Sequence, residues 1–477
     1  MPAIAAVRLI GIACHEREVV LRQPFRFGVI TLRRCRQLFL RARVGFGDGA
    51  SVDGCAAEML LPKWFDKDPA LSEDDNVAQL RRAVAIARDG YLAVDGHHAA
   101  FALHARTSAA HLSRCAAAGL GGLVAGFGTA LVDRAILDAL CRRHAVSFWE
   151  AIRANLPGID AATTPDLAGF DLDAFLAALR PAPTIAARHT VGLVDHLAET
   201  DIPPAERLDD GLPQSLEAAI AAYGCRHFKL KVRGDAEADA ARLRRIAAIV
   251  DRIDQPYLAT LDGNEQYHDE AGIVELWRRL GEDPALARLR DSIRFIEQPI
   301  ARAAASREPV TRLAALRPVE IDESDATVES FAQARRLGYR GVSSKSCKGV
   351  YRSLLNRARC ELWNRDDPAR PYFMSGEDLV VQPGVALQQD LMLASLIGCA
   401  HLERNGHHYV DGFGAAPADE QEAFADACPR LYRRIAPGRA RLRIADGLID
   451  LGDLAAPGFG SAAEPSWSSM PASDYRA

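Results

Sequence analysis

The stretch "HFKLKVRGDAEADAARLRRIAAIVDRIDQPYLATLDGN", residues 227–264, holds a strand, a helix and the next strand. In its opening run Phe228, Leu230 and Val232 alternate with Lys229 and Lys231. Period two is that of a β-strand, so the two lysines share one face and the apolar residues the other. The polar cluster after Val232 leads into an amphipathic segment of helical spacing, and the apolar run "YLATLD" then ends on Asp262. Taken alone, a strand with two lysines reads as a sheet edge blunted against aggregation. The remainder of the chain argues otherwise.

From about Ala187 the same rhythm recurs: a short apolar run, a polar cluster, then an amphipathic helix. The runs are "HTVGLV" (189–194), "HFKLKV" (227–232), "YLATLD" (257–262), "IRFIEQP" (293–299), "PVEIDES" (318–324), "GVSSKS" (341–346), "PYFMSG" (371–376) and "AHLERNG" (400–406). Eight such units predict an α/β fold, a (β/α)₈ TIM-type barrel. A doubly wound open sheet is the main alternative, but no GxGxxG follows the first strand.

Before the barrel, "AVRLIGIAC", "FRFGVITL" and "RQLFLRARVGFGDG" read as an antiparallel meander, and residues 74–155 as alanine-rich helices. The predicted organisation is an N-terminal α+β capping domain over 1–186, a barrel over 187–435, and a segment over 436–477 that packs back on the capping domain or the barrel exterior. Residues 156–183 read as an insertion.

Composition limits the function. The 477 residues are 49% hydrophobic and 25% charged, with net charge −5, and the basic residues are spread out. This is globular composition without the footprint of a nucleic-acid binder. The ten cysteines are scattered, with no CxxC pair or zinc-like spacing, and are expected to be reduced core thiols. Charges interrupt the N-terminus, and no uncharged apolar stretch is long enough to span a bilayer, so a cytoplasmic protein with no membrane partner is expected. Apolar faces on the capping helices predict a homo-oligomer.

Active sites of such barrels lie at the C-terminal ends of the strands. Here strand two ends in Lys229 and Lys231, strand three in Asp262, strand four in Glu297, strand five in Asp322 and Glu323, and strand six in Lys345. Each lies one strand–helix unit after the last, which predicts that they stand side by side around one mouth. Converging carboxylates repel one another unless a cation sits among them, and oxygen-only ligands suit Mg²⁺, with Mn²⁺ as substitute. A lysine whose pKa is depressed by neighbouring positive charge can remove the weakly acidic proton next to a carboxylate. Lys231 and Lys345 are expected on opposite faces of such a substrate.

At these residues the chain resembles the enolase superfamily, and within it the muconate-lactonizing-enzyme-like subgroup of the mandelate racemase/muconate lactonizing enzyme family. The resemblance rests on "KLK" (229–231), "LDGN" (261–264), "IEQP" (296–299), "IDES" (321–324) and Lys345, in order and at similar intervals. It implies that Asp262, Glu297 and Asp322 bind the metal, and that Lys231 and Lys345 are the acid/base pair. It further implies that Lys229 assists the substrate carboxylate, and that Asn264 and Glu323 support the ligands. In the family the segment Phe25 to Val29 folds over the mouth, and Trp64 and Phe65 are expected to do the same. A double glycine usually follows the strand-six lysine; here a single Gly349 stands one position early, with an extra Lys348. Strand parity assigns the base to Lys345 and leaves Lys348 a substrate contact, with Glu377, Glu403 and Phe25; Asp378 and Arg404 are further charged residues of the same loops.

The reading is an isomerase or lyase that forms an enediolate from a small-molecule carboxylate, as a racemase, epimerase or cycloisomerase. A dehydratase of an acid sugar is the alternative with the same site. A Schiff-base lysine aldolase and a non-catalytic binding barrel are the alternatives of other kinds.

Overall fold

The computed structural model describes residues 4–28 and 30–476. Val29, the last residue of the expected lid segment, lies outside the described residues. Strands β1 (Ala6–Phe27), β2 (Ile30–Phe46) and β3 (Ser51–Met59) form an antiparallel sheet. Two features differ from the expectation. "FRFGVITL" is not a strand of its own but the end of one hairpin, turned at Gly28 with φ +50°. And β3 carries too many small residues, from Gly54 to Ala57, to announce itself as a strand, although it pairs with β2 along its length.

Three helices cover this sheet: α1 (Glu73–Leu92), α2 (Ala100–Ala117) and α3 (Gly122–His144). Ser72 caps α1, accepting from the Asp75 N–H while the Asp75 carboxylate accepts from the Ser72 N–H, a reciprocal box. Leu123 to Cys141 of α3 are all buried. Small residues let it lie that deep: a Cβ on Gly128 would stand 2.3 Å from the Ala83 carbonyl oxygen of α1. The apolar faces that predicted an oligomer therefore pack against their own sheet and helices.

The barrel strands are β4 (Thr184–Val191), β5 (His227–Lys231), β6 (Leu258–Asp262), β7 (Ile293–Glu297), β8 (Val319–Ile321), β9 (Gly341–Ser344), β10 (Phe373–Gly376) and β11 (His401–Arg404). All are parallel, each pairs with the next, and β11 pairs with β4 to close the ring. All eight expected units are present. The first strand begins at Thr184, before the expected position, and ends where the Gly192 N–H donates to the Asp195 carboxylate at 2.6 Å. Phe228 and Leu230 of β5 are buried towards the helices, and Lys229 and Lys231 point into the barrel.

The C-terminal segment returns to both bodies. Leu448–Asp450 pairs antiparallel with the start of β4, and Ala472–Ser473 with β1. Residues 156–183 do not reach the mouth: Phe175 and Leu176 are buried, and Asp166 takes two hydrogen bonds of 2.8 Å from Arg359 on the barrel's outside. All ten cysteines are free and buried. No described helix is long and apolar enough to cross a membrane.

Candidate active site

The register across the strands sets the geometry of the mouth. Lys231 pairs with Asp262, Asp262 with Glu297, and Glu297 with Glu320. These four form one row. Asp322, two residues beyond Glu320, stands one layer higher, because strands that close a barrel must stagger. The expected even ring of strand-end residues is thus a rising one.

Each lysine meets the carboxylates in its own way. The Lys231 ammonium donates to Asp262 at 2.5 Å. Across the barrel, Lys345 donates to Asp322 at 2.6 Å and stands 4.8 Å from the centroid of the Trp64 ring. Strands two and six of eight are diametrically opposed, so the two ammonium groups approach from opposite sides. Lys229 sits below them, donating to Glu297 at 2.8 Å and Glu403 at 2.9 Å, with Glu377 beside it and Asp262 3.0 Å away. Lys348 also turns to Asp322, donating to its backbone carbonyl at 2.7 Å and to the Ser343 hydroxyl at 2.8 Å.

Burial and charge act against each other throughout. Burial alone would push the Lys229 ammonium down, but Asp262, Glu297, Glu377 and Glu403 hold it well above the usual lysine range. Lys345 is likewise raised, burial being outweighed by Asp322. A carboxylate is its nearest charge. Asp322 is held well below the carboxylate range despite its burial, by Lys345 and Lys348 first. Glu297 goes the other way: burial, then the charges of Asp262 and Glu377, push it well up.

That crowding is the test of whether a cation fits. The Oε2 of Glu323 and the Oδ1 of Asn264 are buried and accept no hydrogen bond, and the Oε2 of Glu297 is met only by the Lys229 ammonium, at 2.8 Å. Carboxylate oxygens from three neighbouring strands, one unbonded and one with a raised pKa, are a donor set for a hard divalent ion. Asp262, Glu297 and Asp322 fit that role. The trio of carboxylates whose oxygens lie within 4.8 Å of one another among the described residues is nonetheless Glu297, Glu320 and Glu377, the first two paired across β7 and β8 and the third just past the end of β10.

Asn264 and Glu323 lie beside these carboxylates, with further residues around them. Asn264 has φ +41° and Glu265 φ +69°, a strained backbone immediately after the Asp262–Gly263 strand end. Gly263 permits it, since a Cβ there would lie 2.6 Å from the Pro299 Cα. The Asn264 N–H donates to Asp262 at 2.8 Å, and its side-chain amide to Glu323 at 3.3 Å. Lys67 of the capping domain joins the same group, donating to the Asn264 carbonyl at 2.9 Å and standing 3.2 Å from Glu323. Gln298 accepts from the Asp322 N–H at 2.9 Å and the Ser324 N–H at 3.0 Å, tying the fourth strand end to the fifth. Arg188, fully buried on β4, pairs with Glu377.

A cavity of about 280 Å³ lies above these charges. Phe25, Phe27, Leu61, Trp64 and Leu379 give it an apolar side; Lys229, Lys231, Asn264, Asp322, Lys345, Asp378, Glu403 and Asn405 give it a polar one. Of the expected substrate contacts, Phe25 and Glu403 line it, and Phe25 stacks on Tyr409 at 4.2 Å. Glu377 does not line it, being held beneath by Lys229 and Arg188. Nor does Lys348, drawn away by Asp322. Phe65 packs edge-on against Phe127 in the capping core, whereas Trp64 reaches the cavity. Arg404 is buried against Asp378 at 2.6 Å and Asp390 at 3.3 Å. Lys67, Gln298, Arg188 and Leu61 carried no sequence signal, because each acts through a contact far along the chain.

Residues 212–361 match the family model described as "Enolase C-terminal domain-like". No curated protein sequence matches the chain. Among solved structures, the L-Ala-D/L-Glu epimerase from Bacillus subtilis is 14% identical, with TM-score 0.59, over 96% of this chain and 99% of that one. Muconate lactonizing enzyme from Pseudomonas fluorescens is 18% identical, with TM-score 0.56, over 97% and 98%. A member of the enolase superfamily from Roseovarius nubinhibens, complexed with magnesium, is 18% identical, with TM-score 0.57, over 98% and 99%. The likeness to these solved structures extends over the whole capped-barrel fold.

Proposed function

We propose that the protein is an isomerase that removes the α-proton of a small carboxylate to form an enediolate, as a racemase, epimerase or cycloisomerase. The observation that carries this reading is that Lys231 and Lys345, from opposed strands, line one cavity between a carboxylate floor and an apolar cap. One lysine, neutral, takes the proton from one face of the α-carbon and becomes protonated; the other, an ammonium, gives its own proton to the opposite face or to the rearranged product and becomes neutral. Lys229, kept charged by four carboxylates, attracts the substrate carboxylate towards the floor. Trp64 and Phe25 close the cavity over the substrate and exclude water.

Asp262, Glu297 and Asp322 would hold a Mg²⁺. Bound there, it would offset the charge developing on the substrate carboxylate and draw these aspartates' charge away from Lys231 and Lys345. Lys67, Asn264 and Gln298 hold the ligand-bearing loops in place.

The cap favours one substrate class. A pocket with five apolar side chains on one side suits a small acid with an apolar flank, such as an amino-acid derivative or an unsaturated diacid. An acid sugar, the dehydratase alternative, would set its hydroxyls against Phe25, Phe27, Leu61 and Trp64 without partners. The test is proton exchange in D₂O with Mg²⁺ across a panel of N-acyl amino acids, dipeptides, unsaturated diacids and acid sugars. Exchange at the α-carbon of an apolar acid, abolished by chelator, is expected. Exchange with none of the panel would defeat the reading, and exchange confined to acid sugars would replace it with the dehydratase.

A further inference from the structure

A second cleft, outside the barrel mouth, lies where the capping helices α2 and α3 meet the barrel helix α4 (Val350–Asp366). It encloses about 630 Å³ with its mouth. On the capping side, the Asp133 carboxylate is buried and takes the Tyr91 hydroxyl at 2.6 Å and the His104 Nδ1 at 2.8 Å. With Nδ1 so engaged, the His104 ring is fixed, and its Nε2 has no protein partner among the described residues. On the barrel side stands Arg352. Its Nη1 donates to the Asp325 carbonyl at 2.7 Å, and its Nη2 lies over Gly126, where a Cβ would come within 3.0 Å of it. Among the described residues this guanidinium makes no ion pair.

Two more polar atoms complete the lining. The Tyr351 hydroxyl is buried and has no hydrogen-bond partner, and the Thr163 hydroxyl likewise has none. Buried hydroxyls without partners carry a desolvation penalty that a ligand would relieve. Between them the walls are apolar: Leu112, Val328 and Leu355. A planar guanidinium matches a carboxylate bidentately, Nε2 and the free hydroxyls accept or donate one bond each, and the apolar wall takes a hydrocarbon body. A phosphate, with its second charge, would have one guanidinium and no lysine to meet it, since Lys348 on the cleft's edge is committed to Asp322.

We propose that this cleft is a second ligand site, separate from the barrel mouth, which binds a small organic carboxylate with an apolar body through Arg352 and His104. Its wall includes Lys348 and Gly349, the turn that follows Lys345, so the two cavities share one stretch of chain.

Titration of the full chain with 4-fluorobenzoate, followed by ¹⁹F NMR, tests this. Saturable binding is expected, weakened about tenfold or more in Arg352→Met through loss of one charge-assisted pair. Ser108→Trp, which fills the rim from α2 without touching Arg352, should abolish it, and this variant keeps the test if Arg352→Met folds poorly. Lys345→Met should leave this binding unchanged. No saturable binding, or binding that follows Lys345 and not Arg352, would overturn the site. Displacement by equimolar inorganic phosphate would overturn the carboxylate assignment.

Discussion

The two sides of the barrel mouth carry the same pair of groups, a lysine on an aspartate, and differ in what stands behind it. On the side of strands two and three, Asp262 is the one carboxylate that Lys231 meets, and it also stands 3.0 Å from Lys229, which is tied to three others. On the side of strands five and six, one carboxylate serves two lysines: Asp322 meets both Lys345 and Lys348. Lys345 moreover lies over the Trp64 ring, which the capping domain supplies. The cap reaches one lysine directly, through Trp64, and the other side only through Lys67 on the Asn264 carbonyl. Two lysines that look equivalent in the sequence are therefore held by different means.

The sharpest break of this comparison is to remove each base in turn. Lys231→Ala and Lys345→Ala should each lower α-proton exchange by about 10²- to 10⁴-fold, the usual contribution of a positioned base. With the two enantiomers of one substrate, each variant should retain exchange from the face its remaining lysine serves. Loss of both faces in both variants would show that the sides do not act independently.

Next in size is the loss of each aspartate. Asp322→Asn removes the one carboxylate of Lys345 and the nearer of two from Lys348, which keeps Asp325 at 3.6 Å; Asp262→Asn removes the one carboxylate of Lys231, while Lys229 keeps three others. Breaking a buried pair costs about 3–5 kcal/mol, so urea unfolding in chelator should show Asp322→Asn as the more destabilised of the two. Equal losses would remove the asymmetry.

The smallest effect concerns pH. Ser346, next to Lys345, donates its hydroxyl to Asp390 at 2.9 Å. Burial, together with Asp378, pushes the Asp390 carboxyl up to about 7, against the pull of Arg404. A carboxyl raised in the folded state contributes stability that is full below its ordinary pKa of 3.8 and is lost as pH rises through about 7. Three units correspond to at most ~4 kcal/mol. Asp390→Asn should flatten the fall of unfolding free energy between those pH values, and leave the Lys231 side's exchange unaltered; an unchanged slope would show that Asp390 stays ionised throughout.

Much of the site could be read from residue order because a barrel converts sequence spacing into position. A charged residue at each apolar run's end must lie at the mouth, and Lys229, Lys231, Asp262, Glu297, Asp322 and Lys345 do. Phe25 could be placed over the mouth only through the resemblance, and Trp64 and Phe65, adjacent in the chain, part company in space: one enters the cavity, the other the capping core. Lys348 shows the limit of strand parity. The chain leaves β9 for a short 3₁₀ turn after Lys345, and that turn swings Lys348 back onto Asp322, where alternation would not put it.

The sequence by itself determined the eightfold alternation, the inward face of each strand and the set of charges gathered at the mouth, because these follow from local period and hydrophobic burial. The tertiary structure alone decided how those charges pair. Closure staggers the strands, so Glu297 lies level with Glu320 and below Asp322, and no local pattern encodes that shift. Lys67, Trp64, Arg188 and Arg352 find their places through contacts with residues distant in the chain, and only the packed molecule brings those residues within reach.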